Sequence, residues 1–568
     1  MHKSLKAIVI TAIIIFHGLA ASVLVQAQPS GGDEVKRILS KMTVEEKVGQ
    51  IMLGFFEGAS LSPELKARIV NNNLGGVILY SSAGNIESNE QVARLVEDIQ
   101  KTAVASNKNP LFISIDQEGG RVARLTDGAT VFPGNMALGA TGDEELARKS
   151  AAITARELRA LGINLNFAPS VDVNSNPANP IIGVRSFGSS PEDVARLGSA
   201  MLDGYRAAGV IATAKHFPGH GDTNIDSHVG LPVVLHNIGH LNRVELLPFQ
   251  AMIKAGVPAV MTAHVVLPAI DDSGVPATLS PKAMNMLRER MGFEGIIFTD
   301  SMSMGAIVNN YGMEEAAIRA FLAGADVLLF GADSGHVSQE QDVIYKALLR
   351  AVQAGRISEE RLNQSVRRIL KAKAEYGILD NPYPNNNYQA VLAAPHHLTV
   401  AEEIAGASLT LVKNNNLLNL DTTKPVPIIW PQEYEAELAL LLAECPFLKP
   451  AIISLKPDGD TINKICETLS KEEVVLVGTY DIDRNPEWAK LVQALGADKV
   501  IALAMRSPYD LLKIPEVGAY IACYSDRPVT MKALGKLLKG ELEPRGYLPV
   551  ELTGLYLRGW GLTKTFTR

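Results

Sequence analysis

Cysteine is scarce in this chain of 568 residues: three occur, Cys445, Cys466 and Cys523, all in the last quarter and none in a CxxC pair or a zinc-ligand spacing. That excludes a disulfide framework and leaves room for one bridge at most. Positive charge is short as well, with 54 Lys and Arg against 61 Asp and Glu for a formal net charge of −7, so the electrostatic footprint of a nucleic-acid binder is missing. Nucleic acid is not an expected partner. Internal repeats of fixed period are lacking too. With 47% hydrophobic and 20% charged residues, the chain carries enough apolar surface for a large core, which excludes a disordered or collagen-like class.

Beyond the N-terminus no apolar run is long enough to span a bilayer. The N-terminus itself carries Lys3 and Lys6, an apolar stretch from Ala7 to Val25, a small-residue cleavage site at Val25 Gln26 Ala27, and then Pro29 Ser30 Gly31 Gly32. This pattern predicts a secretory signal over residues 1–27 and export to the periplasm, the cell surface or the medium, with no stable membrane insertion after cleavage. An uncleaved N-terminal anchor is the alternative, because the stretch approaches spanning length, although His17 and Gly18 interrupt it. No cysteine follows it, so lipid attachment is not expected.

From residue 33 to 378, short β-branched runs alternate with helical patterns, the signature of repeated βα units around a parallel sheet. Eight strands are expected: Gln50 to Phe55, Gly76 to Tyr80, Leu111 to Asp116, Asn164 to Ala168, Ile211 to His216, Ala259 to His264, Gly295 to Asp300 and Asp326 to Phe330. Eight units predict an α/β fold, a (β/α)8 TIM-like barrel, where an open doubly wound sheet would use fewer strands. An amphipathic helix from Ser358 to Tyr376 closes the region, with Leu362, Val366, Ile369 and Leu370 at helical spacing. A linker over 379–394, rich in Asn and Pro, precedes a C-terminal α/β layered-sheet domain over 395–568. Its expected strands are Ser408 to Val412, Val426 to Trp430, Ala451 to Leu455, Glu473 to Val477, Val500 to Met505 and Ala519 to Cys523.

Polar residues end strand after strand in the first region: Asp116, His216, His264 and Asp300. Singly, an Asp at a strand end reads as the cap of the next helix. Together they read as acids and bases gathered at the C-terminal mouth of a barrel, where such enzymes place their chemistry. The densest stretch runs from Lys215 through His216 Phe217 Pro218 Gly219 His220 Gly221 Asp222 Thr223 Asn224 Ile225 Asp226 Ser227 to His228. Three readings stand open. His216, His220 and His228 with Asp222 or Asp226 could ligate a metal, although no helical HxxxH or HExxH spacing holds them on one face. The glycines and Asp or Asn could simply satisfy turn geometry. Or Asp226 could orient His228 as a proton-transfer dyad, the logic of a Ser-His-Asp triad without its serine.

A partner for that dyad is Asp300, which ends its strand before the small-residue run Ser301 Met302 Ser303 Met304 Gly305 and is a nucleophile candidate for displacement at a sugar carbon. Asp116 Gln117 Glu118 Gly119 Gly120 Arg121 offers either a hydroxyl-binding Asp116 or an Asp-x-Glu acid pair. Arg124, Arg185 and Lys215 would add donors for a hydroxylated ligand, each with the bland alternative of a surface ion pair.

Four segments, Asp116 to Arg121, Arg185 Ser186 Phe187 Gly188, Lys215 to His228, and Thr299 Asp300 Ser301 Met302, resemble glycoside hydrolase family 3 and, within it, the β-N-acetylhexosaminidase branch. The resemblance covers the barrel from about residue 35 to 378. It implies a retaining exo-β-N-acetylglucosaminidase that needs no cofactor, with Asp300 as nucleophile, His228 and Asp226 as acid/base dyad, and Asp116, Arg124, Arg185, Lys215 and His216 holding the terminal N-acetylglucosamine. The implied substrates are peptidoglycan- or chitin-derived glycans. A neutral imidazole acid does not repel an anion, so an N-acetylglucosaminide phosphorylase is the alternative, as is a β-glucosidase of the same family. β-Glucosidases of the family draw their acid/base from the second domain, which leaves residues 395 to 568 without a chemical role here. Ser507 Pro508 Tyr509 Asp510 looks like a motif of that second domain, with a capped turn as its plainer reading.

Overall fold

The computed structural model describes residues 31–563, so the expected signal segment at 1–27 lies outside the described residues. Among them, no helix is long and apolar enough to cross a membrane.

The eight short, apolar runs of the first region form eight parallel strands: β1 (Met52–Gly54), β2 (Gly76–Leu79), β3 (Phe112–Ile115), β4 (Leu165–Asn166), β5 (Ile211–Phe217), β6 (Ala259–Thr262), β7 (Ile296–Phe298) and β8 (Leu328–Phe330). Each is buried along its whole length, as strands covered on both faces by helices must be. They pair in chain order, β8 pairs β1 in parallel, and β7 meets β8 through a parallel bridge between Phe298 and Val327. The sheet therefore curls into the expected barrel. Asp326 pins this seam from below: its carboxylate accepts from the Ile297 N–H at 3.0 Å and the Ser365 hydroxyl at 2.7 Å, and pairs with Arg288 and Arg368.

The helices start where polar residues can accept the first free N–H groups. Ser88, Asp143, Ser190 and Ser358 do so for the helices Asn89–Ala105, Glu144–Ala160, Pro191–Ala207 and Glu359–Glu375. The last buries Leu362, Val366, Ile369 and Leu370, the face its periodicity predicts.

A second sheet of six strands follows, β9 (Thr410–Asn414), β10 (Val426–Pro431), β11 (Leu448–Ile453), β12 (Val475–Thr479), β13 (Val500–Ala504) and β14 (Ala519–Ala522), in the order β11-β10-β12-β13-β14-β9. All neighbours are parallel except β9, which runs antiparallel on β14. Both faces carry apolar clusters, giving the layered α/β arrangement. Cys445, Cys466 and Cys523 are all free thiols.

The two sheets are joined by more than a tether. Met136, Ala137 and Ala140, on the helix Asn135–Thr141 of the barrel region, belong to the apolar cluster of the second sheet. The Tyr547 N–H donates to the Ala140 carbonyl at 2.9 Å, and Arg527 Nε to the Gly120 carbonyl at 2.6 Å. The segment between the sheets is pinned as well. Buried Glu157 accepts from the Thr130 N–H and hydroxyl, both at 2.7 Å, from the Ala393 N–H at 2.9 Å, and faces His397 Nδ1 at 2.8 Å. In the Ser507 Pro508 Tyr509 Asp510 stretch, Ser507 caps a short 3-10 turn, and the Tyr509 hydroxyl accepts from Asn174 Nδ2, across on the barrel side, at 3.0 Å.

Candidate active site

One cavity of about 420 Å³ opens at the C-terminal ends of the barrel strands and is lined by Asp116, Arg124, Arg185, Lys215, His216, His228 and Asp300. Every predicted site residue except Asp226 lies on its wall, and Asp226 stands directly behind His228. Backbone geometry explains the glycines of the two densest motifs. Gly120 sits at φ 52, and a Cβ there would fall 2.5 Å from the Pro133 carbonyl oxygen; at Gly221 a Cβ would fall 1.7 Å from that of Val173. Only glycine lets these loops fold back so tightly.

The deep wall is a buried charge network. Lys215, on β5, places Nζ 2.8 Å from Asp116 Oδ1 and 2.7 Å from Glu118 Oε1. Glu118 accepts from Arg185 Nε at 3.0 Å and Nη2 at 2.8 Å, a bidentate pair. Burial works against each charge here. It is outweighed by Arg185 and Lys215, which hold Glu118 far below the usual carboxylate range, and by Asp116 and Glu118, which raise Lys215. Glu118 is thus locked as an anion and cannot serve as the acid of an Asp-x-Glu pair; that reading is corrected by its two cationic partners. Arg124 lies over the Tyr80 ring at 5.6 Å, with Nη2 3.9 Å from Asp116 Oδ2.

His216 follows Lys215 and is oriented by a residue that its motif does not contain. Asp172 Oδ2 lies 2.7 Å from His216 Nδ1, and the same carboxylate accepts from the backbone N–H of His216 and, at 2.7 Å, of His220. Burial alone would raise Asp172; the nearby His216 and His220 instead bring it down to about 2. His220 makes both of its ring contacts within the loop, to Thr223 Oγ1 at 2.8 Å and Ser227 Oγ at 2.9 Å, and burial lowers it to about 4. His216, His220 and His228 each answer to a different side chain, so they do not form the three-histidine ligand set considered from sequence.

His228 is half exposed at the rim. Its Nδ1 stands 2.7 Å from Asp226 Oδ1, which also accepts the His228 N–H at 2.9 Å. That hydrogen bond, outweighing burial and helped by the negative charge of Asp300, raises His228 above its ordinary value. Asp300 follows β7, and its Oδ1 accepts the Ser301 N–H at 2.8 Å. Burial would raise it, but His216, His264 and His228 around it bring its carboxyl down to about 2. Beside it, Ser301 Oγ donates to Asp333, and His264 Nε2 lies 2.8 Å from the Ser301 carbonyl oxygen. Asp172, Asp333 and Tyr80 were not singled out from sequence. The only signal for them is position, after β4, β8 and β2, at the same barrel mouth.

An ionised carboxylate, an imidazole paired with a second carboxylate, and a wall of buried donors, all at the C-terminal face of a (β/α)8 barrel, define a glycoside hydrolase. The comparisons agree. The chain belongs to glycosyl hydrolase family 3, whose N-terminal domain matches residues 43–372. It is 35% identical over 549 residues to the β-hexosaminidase A of Pseudoalteromonas piscicida, covering 86% of this chain and 91% of that protein. To the β-N-acetylglucosaminidase/β-glucosidase of Cellulomonas fimi it is 28% identical over 555 residues, covering 91% and 95%. Among solved structures it resembles a family 3 β-N-acetylglucosaminidase from Paenibacillus sp. str. FPU-7, with 40% identity, a TM-score of 0.85, and coverage of 91% of this chain and 100% of that one.

Proposed function

We propose that this protein is a retaining, exo-acting β-N-acetylglucosaminidase, exported to act on peptidoglycan- or chitin-derived glycans. The observation that carries the reading is the opposition of charge states at the mouth: Asp300 is held ionised, while His228 is biased toward its protonated form. A nucleophile must be ionised and an acid must carry its proton, so the two groups stand ready for the first step.

In that step Asp300 Oδ2, the oxygen not engaged by the Ser301 N–H, forms a bond to the anomeric carbon. The glycosidic bond breaks, and the electron pair goes to the leaving oxygen, which takes the proton from His228 Nε2. Asp226 on Nδ1 keeps that proton on the far nitrogen. In the second step neutral His228 accepts a proton from water, the water oxygen bonds to the anomeric carbon, and the carboxylate of Asp300 leaves. Two inversions give retention.

Asp116, Arg124, Arg185, Lys215 and His216 hold the terminal sugar. Their charged and polar side chains line the wall against which the terminal sugar would sit. The sugar preference is supported by the names of the relatives, and export rests on the N-terminal signal pattern. Initial rates on aryl N-acetyl-β-glucosaminide and aryl β-glucoside, with and without phosphate, test the reading. Preference for the acetamido sugar and indifference to phosphate is expected. Preference for the glucoside, or phosphate-dependent release of a sugar 1-phosphate, would overturn it.

A further inference from the structure

Beside the loop that carries the dyad, a second group of side chains has no role in the proposed reaction. His236 and His240, four residues apart across the start of the helix Ile238–Arg243, stack with ring centroids 3.7 Å apart. Glu245, just before the helix Leu246–Lys254, faces them from the interior with a side chain only 2% exposed. Both Glu245 carboxylate oxygens and His240 Nε2 are buried without any hydrogen-bond partner. A buried polar group left so incurs its full desolvation penalty, more if charged. Burial pushes the Glu245 carboxyl up to about 7.

Coordination, with the two rings turned out of their stack so that their in-plane lone pairs converge, would satisfy His240 Nε2 and one Glu245 oxygen at once. One ligand atom from each of His236, His240 and Glu245 lies within 4.8 Å of the others. His240 Nε2 and Glu245 Oε1 are 3.5 Å apart, close to the ligand-to-ligand edge of about 3.4 Å that a tetrahedral site with bonds of about 2.1 Å requires. Two imidazoles and a carboxylate are a borderline ligand set that suits zinc. His236 Nε2 is 2.7 Å from Asp222 Oδ2, the carboxylate contact that commonly fixes the ring of a metal-bound histidine from outside the ligand sphere.

We propose that His236, His240 and Glu245 form a structural site for a divalent cation of the zinc type, with Asp222 as the outer carboxylate that holds His236. The site would clamp the dyad-bearing loop to the helices behind it. Asp222 lies on that loop four residues before Asp226, and Gly219, on the same loop, approaches so closely that a Cβ there would fall 2.6 Å from Glu245 Cβ.

The intact protein, dialysed against a chelator, is titrated with Zn2+ in competition with a chromophoric indicator, and the absorption of added Co2+ reports coordination geometry. One equivalent bound is expected, weakened at least about tenfold by His240→Ala and by Glu245→Gln, about 10–100-fold by Asp222→Asn, and not at all by His336→Ala. The His336 ring pairs with Glu340 at 2.9 Å and takes no part in the site. His240 is partly exposed, so its variant carries the test if the buried Glu245 variant fails to fold. No stoichiometric binding to the unsubstituted protein, or binding that His240→Ala leaves intact, would overturn the proposal.

Discussion

Asp226 Oδ1 accepts two hydrogen bonds from one residue, the backbone N–H of His228 at 2.9 Å and the ring Nδ1 at 2.7 Å, so the carboxylate fixes both the turn and the imbalance between the two ring nitrogens. Because the hydrogen bond to Asp226 is the main cause of the raised His228 pKa, its removal has a defined sign. The first step needs protonated His228, so kcat/KM falls as pH rises through a value above the ordinary 6.5. In Asp226→Asn the descending limb should move to lower pH. A pH profile of kcat/KM on an unactivated substrate checks this, and an unmoved limb would assign it to another group. Asp300 sets no competing limb until pH approaches about 2.

Replacing His228 by Ala should slow substrates with basic leaving groups by about 10²–10⁴-fold, while activated aryl glycosides lose much less in their first step, since their leaving oxygens need little protonation. A series of aryl N-acetyl-β-glucosaminides of graded leaving-group acidity reads the difference. Equal losses across the series would remove His228 from the role of acid.

For Asp300→Ala, turnover should drop by about 10⁴-fold or more, the scale seen when a nucleophile is deleted. Azide should then restore release of the aglycone and give a glycosyl azide of inverted configuration, because the anion takes the place of the missing carboxylate. A retained azide product would point to a nucleophile elsewhere.

Glu118→Gln strips the shared counter-charge from Arg185 and Lys215, both of which it contacts at 2.7 to 3.0 Å. Breaking a buried ion pair from one side costs about 3–5 kcal/mol, so the urea midpoint should fall clearly and KM should rise as the donors on the deep wall lose their positions. The leaving-group dependence should stay as in the parent protein, since Glu118 transfers no proton. A steeper dependence would return it to consideration as an acid.

Much of this was legible in the residues. Each of the eight runs of the barrel and the six of the second sheet overlaps a strand. β3, β6 and β7 stop short of Asp116, His264 and Asp300, which turn out of the ladder toward the mouth, whereas β5 runs through His216 to Phe217 and β9 to β12 reach past their expected bounds. The partners were less legible. Asp172 orients His216 from 44 positions away, and nothing in the Val171 Asp172 Val173 Asn174 stretch marks it. Glu118 read as a possible acid because it stands two residues after Asp116 in an Asp-x-Glu spacing, whereas its neighbours in space are Arg185 and Lys215. The residues 379–394 read as a plain connection, yet Ala393 and, just past them, His397 converge on buried Glu157.

By itself the sequence determined the period of the elements, the class of barrel, the second sheet and the positions of chemistry at strand ends, since these follow from local hydrophobic pattern and motif spacing. Only the tertiary structure decided which charge answers which. An acid's proton affinity depends on burial and on neighbours brought together by strand order, and the same holds for the docking of the second sheet, where Met136, Ala137 and Ala140 fill a core whose other residues lie hundreds of positions further along the chain.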